Sequence, residues 1–125
     1  MLDVKTYDFN VYLNPWQPIN ITPRIVDLVR SVRNGIVNVF TPSEDCAVVT
    51  IEYDPHLFND LKKYLEEYLK VRGIRRLASS ILGRCITLPI VNSSLRLGAW
   101  QQIVLINIGE DPKEAQIYVT ITGES

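Results

Sequence analysis

The sequence predicts an α+β fold in which a mixed, mostly antiparallel sheet folds into a sandwich-like arrangement of two layers and carries two helices. Residues 6–13 alternate between polar and apolar side chains, which is typical of a strand with one buried face. Two segments begin with a capping residue and a proline and then repeat apolar residues at helical spacing. Other β-branched runs follow one another without a helical pattern between them, which favours α+β over a strictly alternating α/β fold.

The first half of the chain is predicted to contain three strands and one helix. The strand over residues 6–13 ends where an asparagine and two prolines follow. Thr22 is the expected N-cap of the first helix, with the proline after it in the first turn, and the helix is expected to run until Gly35. Residues 35–40 and 47–53 are rich in β-branched side chains and are the next two predicted strands.

The second half begins with Asp54 and Pro55, which repeat the capping signal and start the second predicted helix. Its apolar stripe comprises Phe58, Leu61, Leu65 and Tyr68. Residues 84–89, 101–108 and 115–122 are predicted strands, and the glycine, aspartate and proline between the last two suit a hairpin. Six or seven strands exceed what one small sheet easily holds, so we expect two layers.

The composition indicates one globular domain over residues 1–125. Apolar residues make up 46% of the chain and charged residues 22%, which excludes a disordered protein. The formal net charge of −1 gives no general attraction to nucleic acid or to an anionic membrane, so neither partner is expected. No signal peptide or membrane anchor is visible near the amino terminus, so we expect a cytoplasmic protein in which Cys46 and Cys85 are reduced.

His56 is the single histidine, which excludes a multi-histidine zinc site within one subunit. It follows the predicted start of the second helix, where the positive helix end disfavours the imidazolium that a general base must become. We therefore interpret it as a solvated first-turn residue rather than a catalytic base. The sequence identifies no catalytic residue, no cofactor and no resident metal.

Two clusters of charge are candidates for ligand binding. Four carboxylates lie around the predicted hairpin: Glu44, Asp45, Glu52 and Asp54. They could hold Mg²⁺ together with a phosphate, or they could form a polar turn and a helix cap. Residues 70–76 carry four cations that could clamp a phosphate or complement the dipole of a helix carboxyl end. Neither a nucleotide-binding motif nor interleaved aromatics accompany this basic run.

Gly98, Trp100 and Gln101 lie at the entrance of the strand over residues 101–108. A glycine there permits a close backbone approach or a positive φ. The tryptophan of a monomer is expected in the core, whereas the amide of Gln101 can both donate and accept hydrogen bonds. This stretch is therefore either a packing feature or part of a binding site.

Residues 79–108 resemble the carboxyl half of the YjbQ-like family, whose members are known as secondary thiamine-phosphate synthases. The matching pieces are Ser80 with Leu82 and Gly83, Leu88 with Pro89, Gly98 to Gln101, and Gly123 with Glu124. Residues 35–55 resemble the first hairpin of that family. The resemblance implies the family fold and a homotrimer with pockets between subunits, in which Trp100 forms a wall and Gln101 contacts the ligand.

The chain departs from the family pattern where activity is expected. A family histidine and two small hydroxyl residues are replaced by Ser43, Glu44 and Asp45. A second family histidine has no counterpart, and Arg76 lies near its place in a shortened loop. The ligand-binding residues that the resemblance implies are Ser43, Glu44, Asp45, Glu52, Arg76, Ser80, Trp100 and Gln101.

Two functions fit these features. In the first, the protein is a non-catalytic homotrimer that binds a small anionic or phosphorylated metabolite through Arg75, Arg76 or Arg96. In the second, it is an active enzyme of the thiamine-phosphate synthase type, in which carboxylates and Mg²⁺ replace the histidines and stabilise the diphosphate leaving group.

Overall fold

The computed structural model describes residues 2–68 and 74–124, except for the side chains of residues 68 and 74–76. Within these residues the chain forms eight strands and three helices. In chain order they are β1 (Asp3–Leu13), β2 (Ile19–Asn20), α1 (Thr22–Val29), β3 (Asn34–Phe40), β4 (Cys46–Glu52), α2 (Pro55–Tyr68), α3 (Ile74–Leu82), β5 (Cys85–Val91), β6 (Ser94–Leu95), β7 (Gln101–Asn107) and β8 (Lys113–Glu124).

The strands form two antiparallel sheets that pack against each other through their apolar sides. The larger sheet has the order β1-β8-β3-β5-β6, and the smaller has the order β2-β7-β4. Both contribute to one continuous cluster of buried side chains. This arrangement confirms the predicted α+β class and its two layers.

The alternation of side chains in β8 determines which side of the larger sheet faces the core. The buried positions of β8 are Ala115, Ile117, Val119 and Ile121. Complete burial of an aliphatic side chain is worth about 1.5–3 kcal/mol, so a shift of one residue in register would expose the whole set. Strand β7 is buried on both sides, because Ile103 and Leu105 face this core whereas Val104 and Ile106 lie under α2 and α3.

Helix α1 begins at Thr22 as predicted, but the expected capping role of Thr22 is wrong. The N-cap position is Ile21, and the buried Thr22 hydroxyl instead accepts a hydrogen bond from the Ile103 N–H at 2.8 Å. The helix ends at Val29, well before Gly35. Gly35 lies in β3, where a Cβ atom would collide with the carbonyl oxygen of Thr122 on β8.

Helix α2 begins as the sequence predicts. The Asp54 carboxylate accepts a hydrogen bond from the His56 N–H at 2.8 Å, and His56 itself is exposed in the first turn. Phe58 and Leu65 are buried against the smaller sheet.

The expectation of two helices is wrong, because α3 lies where the sequence analysis predicts no regular element. Apolar residues recur here at helical spacing, so the sequence does carry a helix signal, which the sequence analysis missed. They are Ile74, Leu77, Ala78, Ile81 and Leu82. Among the described side chains of the helix, the small residues Ala78 and Ser79 are buried. The small side chains allow the helix to approach β4 closely. Among the described residues, no helix has both the length and the apolar character needed to cross a membrane.

Candidate functional site

The predicted ligand-binding residues lie in two groups at opposite ends of β4. Asp45 immediately precedes this strand, whereas Glu52 ends it and pairs with Gln101 on β7. A strand of this length spans about 20 Å. The first group contains Ser43, Glu44, Asp45 and Ser80, and the second contains Glu52, Trp100 and Gln101.

Three members of the first group line a polar cleft of about 350 Å³, which we call the Arg84 corner. Its lining residues are Glu44, Asp45, Ser80 and Arg84. The cleft lies where the start of β4, the end of α3 and the start of β5 meet. Three of the four lining residues belong to the predicted set, and Arg84 is the addition that only the structure reveals.

The loop that leads into the corner is bound to β8 by hydrogen bonds. The buried Thr41 hydroxyl donates to the Gln116 carbonyl oxygen at 2.8 Å, and the Ser43 hydroxyl accepts from the Gln116 N–H at 3.0 Å. The Thr41 N–H donates to the carbonyl oxygen of Arg84 at 3.0 Å. These contacts fix the loop, so Glu44 and Asp45 are held at the edge of the cleft.

Asp45 adopts a left-handed backbone conformation with φ of 59°. Its carbonyl oxygen accepts a hydrogen bond from the Ile108 N–H at 2.7 Å. Gly109 allows this approach, because a Cβ atom there would lie 3.0 Å from both Cβ and Oδ2 of Asp45. Lys113 Nζ donates to the Glu44 carbonyl oxygen at 2.7 Å and lies 3.9 Å from the Asp45 carboxylate.

Arg84 is oriented by a buried serine. Its Nε donates to the Ser79 hydroxyl oxygen at 3.0 Å, and the Ser79 hydroxyl in turn donates to the Cys46 carbonyl oxygen at 2.8 Å. Ser79 is fully buried. Within the described part of the chain, the two Nη groups of Arg84 make no hydrogen bond, so the guanidinium presents a fixed pair of donors to the cleft.

Cys46 lies beneath the corner but is not a nucleophile in this arrangement. Burial raises the pKa of the Cys46 thiol, and nearby Asp45 raises it further, against the opposing effects of Lys113 and Arg84. The thiol is therefore neutral at physiological pH, whereas a reactive cysteine requires the thiolate. Cys46 and Cys85 are both free, as expected.

The predicted acidic constellation is not assembled within one chain. Glu44 and Asp45 border the corner, but Glu52 lies at the other end of β4 and Asp54 caps α2. Across residues 2–68 and 74–124, no group of three or more histidine, cysteine, aspartate or glutamate side chains converges as metal ligands would. Glu44 and Asp45 are the two of these carboxylates that border a common cleft, and a magnesium site there stays a prediction.

The second group lies on an exposed turn. The Gln101 N–H donates to the Gly98 carbonyl oxygen at 3.1 Å, and the Gln101 side-chain oxygen accepts from the Gly98 N–H at 3.0 Å. A Cβ atom on Gly98 would lie 2.8 Å from that oxygen, so the expected close approach is confirmed. The side-chain oxygen of Gln101 is thus already used within the turn.

The expectation that Trp100 lies in the core of a monomer is wrong. Its side chain is 81% exposed, and its φ of 66° fits the third position of a type II turn. That position normally holds glycine or asparagine, because a side chain there is strained. The turn directs Trp100 away from the sheet, so the residue has a large apolar surface without cover in its own chain.

Of the arginines predicted to bind an anion, only Arg96 has a described side chain. Arg96 is exposed after β6, beside the opposite end of β5 from Arg84. Arg75 and Arg76 belong to α3, but their side chains lie outside the described residues. Sequence analysis missed Arg84, which precedes β5, and Lys113, which begins β8; the two are far apart in sequence and form no local motif.

A second cleft of about 440 Å³ lies between the segment after β1 and the start of α2. Its aromatic lining comprises Trp16, Tyr53 and Phe58, and the Tyr53 hydroxyl donates to the Pro18 carbonyl oxygen at 3.0 Å. Its lining residues carry no charge. An anionic ligand therefore finds complementary charge at the Arg84 corner and not in this cleft.

Comparison with solved structures supports the fold. A YbjQ-like protein of unknown function from Sulfolobus solfataricus P2 has a TM-score of 0.91 at 24% identity, with 99% of this chain and 100% of that chain covered. A hypothetical protein from Aeropyrum pernix K1 has a TM-score of 0.84 at 24% identity, with coverages of 96% and 99%.

Curated relatives extend the similarity to sequence. A UPF0047 protein of Methanothermobacter thermautotrophicus is 29% identical over 119 residues, which cover 85% of this chain and 82% of the relative. A UPF0047 protein of Archaeoglobus fulgidus is 27% identical over 112 residues, with coverages of 81% and 87%. The family model described as UPF0047 protein YjbQ-like matches residues 10–124. The chain therefore belongs to the YjbQ-like UPF0047 family.

Proposed function

We propose that the protein is a non-catalytic homotrimer that binds a small anionic, phosphorylated metabolite at the Arg84 corner. The observation that carries this proposal is the guanidinium of Arg84, which Ser79 holds at the cleft with both Nη groups free of hydrogen bonds within the described residues. A fixed guanidinium matches two oxygens of a phosphate, and such charge-assisted pairs are among the stronger hydrogen bonds in proteins.

Lys113 adds to the positive potential near the cleft. Its ammonium group donates to the Glu44 carbonyl oxygen and lies near the Asp45 carboxylate. The carboxylate offsets part of the positive potential of Lys113 but holds the ammonium group in place. The corner therefore combines two cations with two carboxylates. A ligand that carries both an anionic group and hydroxyl or amine donors suits this mixture better than inorganic phosphate alone.

The absence of catalysis is inferred from the residues at the corner. The family histidines are replaced, His56 is exposed on α2, and the Cys46 thiol is neutral because its pKa is raised by burial. The described residues around the cleft thus provide binding groups but no imidazole or thiolate for proton transfer or nucleophilic attack.

The trimer is proposed because the family resemblance implies one and because the second group of residues is incomplete alone. Trp100 has no cover in its own chain, and its turn lies about 20 Å along β4 from the corner. Only another copy can bring Glu52, Trp100 and Gln101 next to the Arg84 corner. In that arrangement Trp100 forms a wall of a pocket between subunits.

Calorimetric titration with inorganic pyrophosphate tests the binding proposal. Wild-type protein should bind this probe, and Arg84→Ala should weaken binding roughly 10- to 100-fold because charge-assisted hydrogen bonds are lost. Arg96→Ala is the matched control, since it removes an exposed arginine away from the corner. Equal affinity of the wild type and Arg84→Ala would contradict the proposal.

An active enzyme of the thiamine-phosphate synthase type is the second candidate. It is favoured by Glu44 and Asp45, which border the same cleft as Arg84 and could share Mg²⁺ with a diphosphate if a neighbouring copy supplied Glu52. Thiamine phosphate formation should be measured with and without Mg²⁺ against a no-protein control. Turnover that Glu52→Ala abolishes would establish this candidate and overturn the non-catalytic one.

A further inference from the structure

The side of the larger sheet that faces away from the core is open to solvent, and we call it the outer face. It is formed by the even-numbered residues 4–12 of β1, 34–40 of β3 and 114–124 of β8, together with the odd-numbered residues 85–91 of β5. Strand register places these side chains in continuous rows across four strands.

The charge on the outer face is unusual for a surface exposed to water. None of its side chains is a lysine, arginine or histidine, although the whole chain has 13 lysines and arginines. Its charged residues are Asp8, Glu114 and Glu124. A depletion of charge is typical of the centre of an interface between proteins.

Apolar side chains flank the single polar residue Thr122 in one row of the outer face. Val4 is 67% exposed and Ile36 is 48% exposed, and register places both in the same row as Pro89. Phe40 and Val91 are also exposed. Covering such side chains would gain about 25 cal/mol for each Å² of apolar surface removed from water.

The polar side chains in the middle of the outer face already have partners. The hydroxyl oxygens of Thr6 and Thr120 lie 3.1 Å apart, and Asn38 Nδ2 donates to the Thr87 hydroxyl oxygen at 3.0 Å and to the Cys85 sulfur at 2.9 Å. Burial of a polar group is costly mainly when its hydrogen bonds are lost. This row could therefore be covered without leaving unpaired groups.

The size of the outer face fits an interface between subunits. From strand spacing and rise, the four strands cover roughly 550 Å² of plane before the relief of the side chains is counted. A stable interface buries about 800 Å² on each partner, so the outer face together with its rim reaches this scale.

The position of the outer face connects it with the Arg84 corner. Phe40 and Cys85 are paired across β3 and β5, and the next residues, Thr41 and Arg84, are joined by a backbone hydrogen bond at the corner. A second copy that packs here therefore lies beside the cleft. We infer that copies of this chain contact one another through the outer face, to which its apolar row and its self-paired polar row are suited. This inference rests on the proposed homotrimer.

Cys85 provides a test in the unmodified protein. Its thiol is exposed on the outer face of a single chain, whereas Cys46 is fully buried and serves as an internal control. Light scattering should give about three times the 14.3 kDa chain mass, and in this assembly Cys85 should react with a maleimide at least tenfold more slowly than in dissociated chains. Fast labelling of Cys85 in the intact assembly would overturn the inference, and the face would then be free for a different partner.

Ile36→Lys and Val26→Lys form a matched pair of variants. Ile36 lies on the outer face, whereas Val26 is a similarly shaped exposed residue on α1. Ile36→Lys should lower the mass to that of one chain with an unchanged circular dichroism spectrum and accelerate Cys85 labelling, whereas Val26→Lys should remain assembled. Loss of structure in Ile36→Lys leaves the wild-type labelling as the deciding measurement.

The two proposals fail in different ways. A wild-type monomer would overturn both the trimer and its surface. If a folded Ile36→Lys variant retains the mass of the trimer, the outer face is not the contact surface, and the trimer proposal still stands. A wild-type dimer with protected Cys85 would support the outer face and overturn the trimer.

Discussion

The two ends of β4 differ in how far one chain completes its own polar contacts. At its start, Asp45, Ser79 and Arg84 belong to a connected set of hydrogen bonds that joins both sheets and α3. At its end, Gln101 bonds only within its own turn and to its strand partners, and Trp100 projects into solvent. The first end is a preformed cluster of bonded polar groups, whereas the second leaves a large aromatic side chain uncovered by its own chain.

In a single chain, resemblance to a family identifies residues without showing that they meet at one site. The residues implied by the resemblance are present, but the fold separates them by the length of a strand. Residues that share a motif need not share a site, because a β-strand places its two ends about 3.3 Å per residue apart. The comparison yields three predictions about the stability of the two ends.

The largest effect is expected for Ser79→Ala at the preformed end. The substitution removes the donor to the Cys46 carbonyl and the acceptor for Arg84 Nε in a fully buried position, so the free energy of unfolding should fall by about 2–3 kcal/mol. Urea denaturation at one protein concentration measures it. Ser94→Ala, at an exposed position on β6, is the control and should change the free energy of unfolding little. Equal losses in both variants would show that the buried hydrogen bonds of Ser79 do not contribute to stability.

An intermediate effect should distinguish two glycines at the two ends. Gly109→Ala places a Cβ atom 3.0 Å from the held Asp45 and should lower the free energy of unfolding by about 1–2 kcal/mol. Gly98→Ala meets only the end of the Gln101 side chain, which can rotate away, so its loss should be smaller. Thermal unfolding of both variants checks the order, and a larger loss for Gly98→Ala would reverse the comparison.

The smallest effect is expected at Trp100, where glycine should be more favourable than alanine because it relieves backbone strain. Glycine accepts the φ of 66° without the strain that any Cβ atom causes, so Trp100→Gly should be more stable than Trp100→Ala by about 1 kcal/mol. Both variants lose the indole, so their difference isolates the backbone. The measurement is the difference in urea midpoint, and a more stable alanine variant would argue against strain at this turn.

Much of the fold could be predicted from local patterns. Alternation over residues 6–13 identifies the core side of β1, the Asp54 cap marks the start of α2, and several β-branched runs become strands. The third helix was missed although apolar residues recur at helical spacing over residues 74–82, because its first turn lies in a basic run interpreted as a shortened loop. The end of α1 escaped as well, because Gly35 serves a close approach between strands and not a helix stop.

The candidate site could be predicted only in part. Glu44, Asp45 and Ser80 border the cleft as the resemblance implies, whereas Glu52 and Gln101 lie at the other end of β4. Arg84 could not be singled out from the sequence, since its place at the cleft depends on a buried serine contact that positions its guanidinium.

The sequence alone established the α+β class, the side of β1 that faces the core and the membership of the YjbQ-like UPF0047 family. These depend on periodicity and on motifs, which are local properties of the chain. Only the tertiary structure decided that Arg84 and Lys113 approach Asp45 and that Trp100 is exposed. The physical reason is that such contacts arise from strand register and sheet packing, which join residues far apart in sequence.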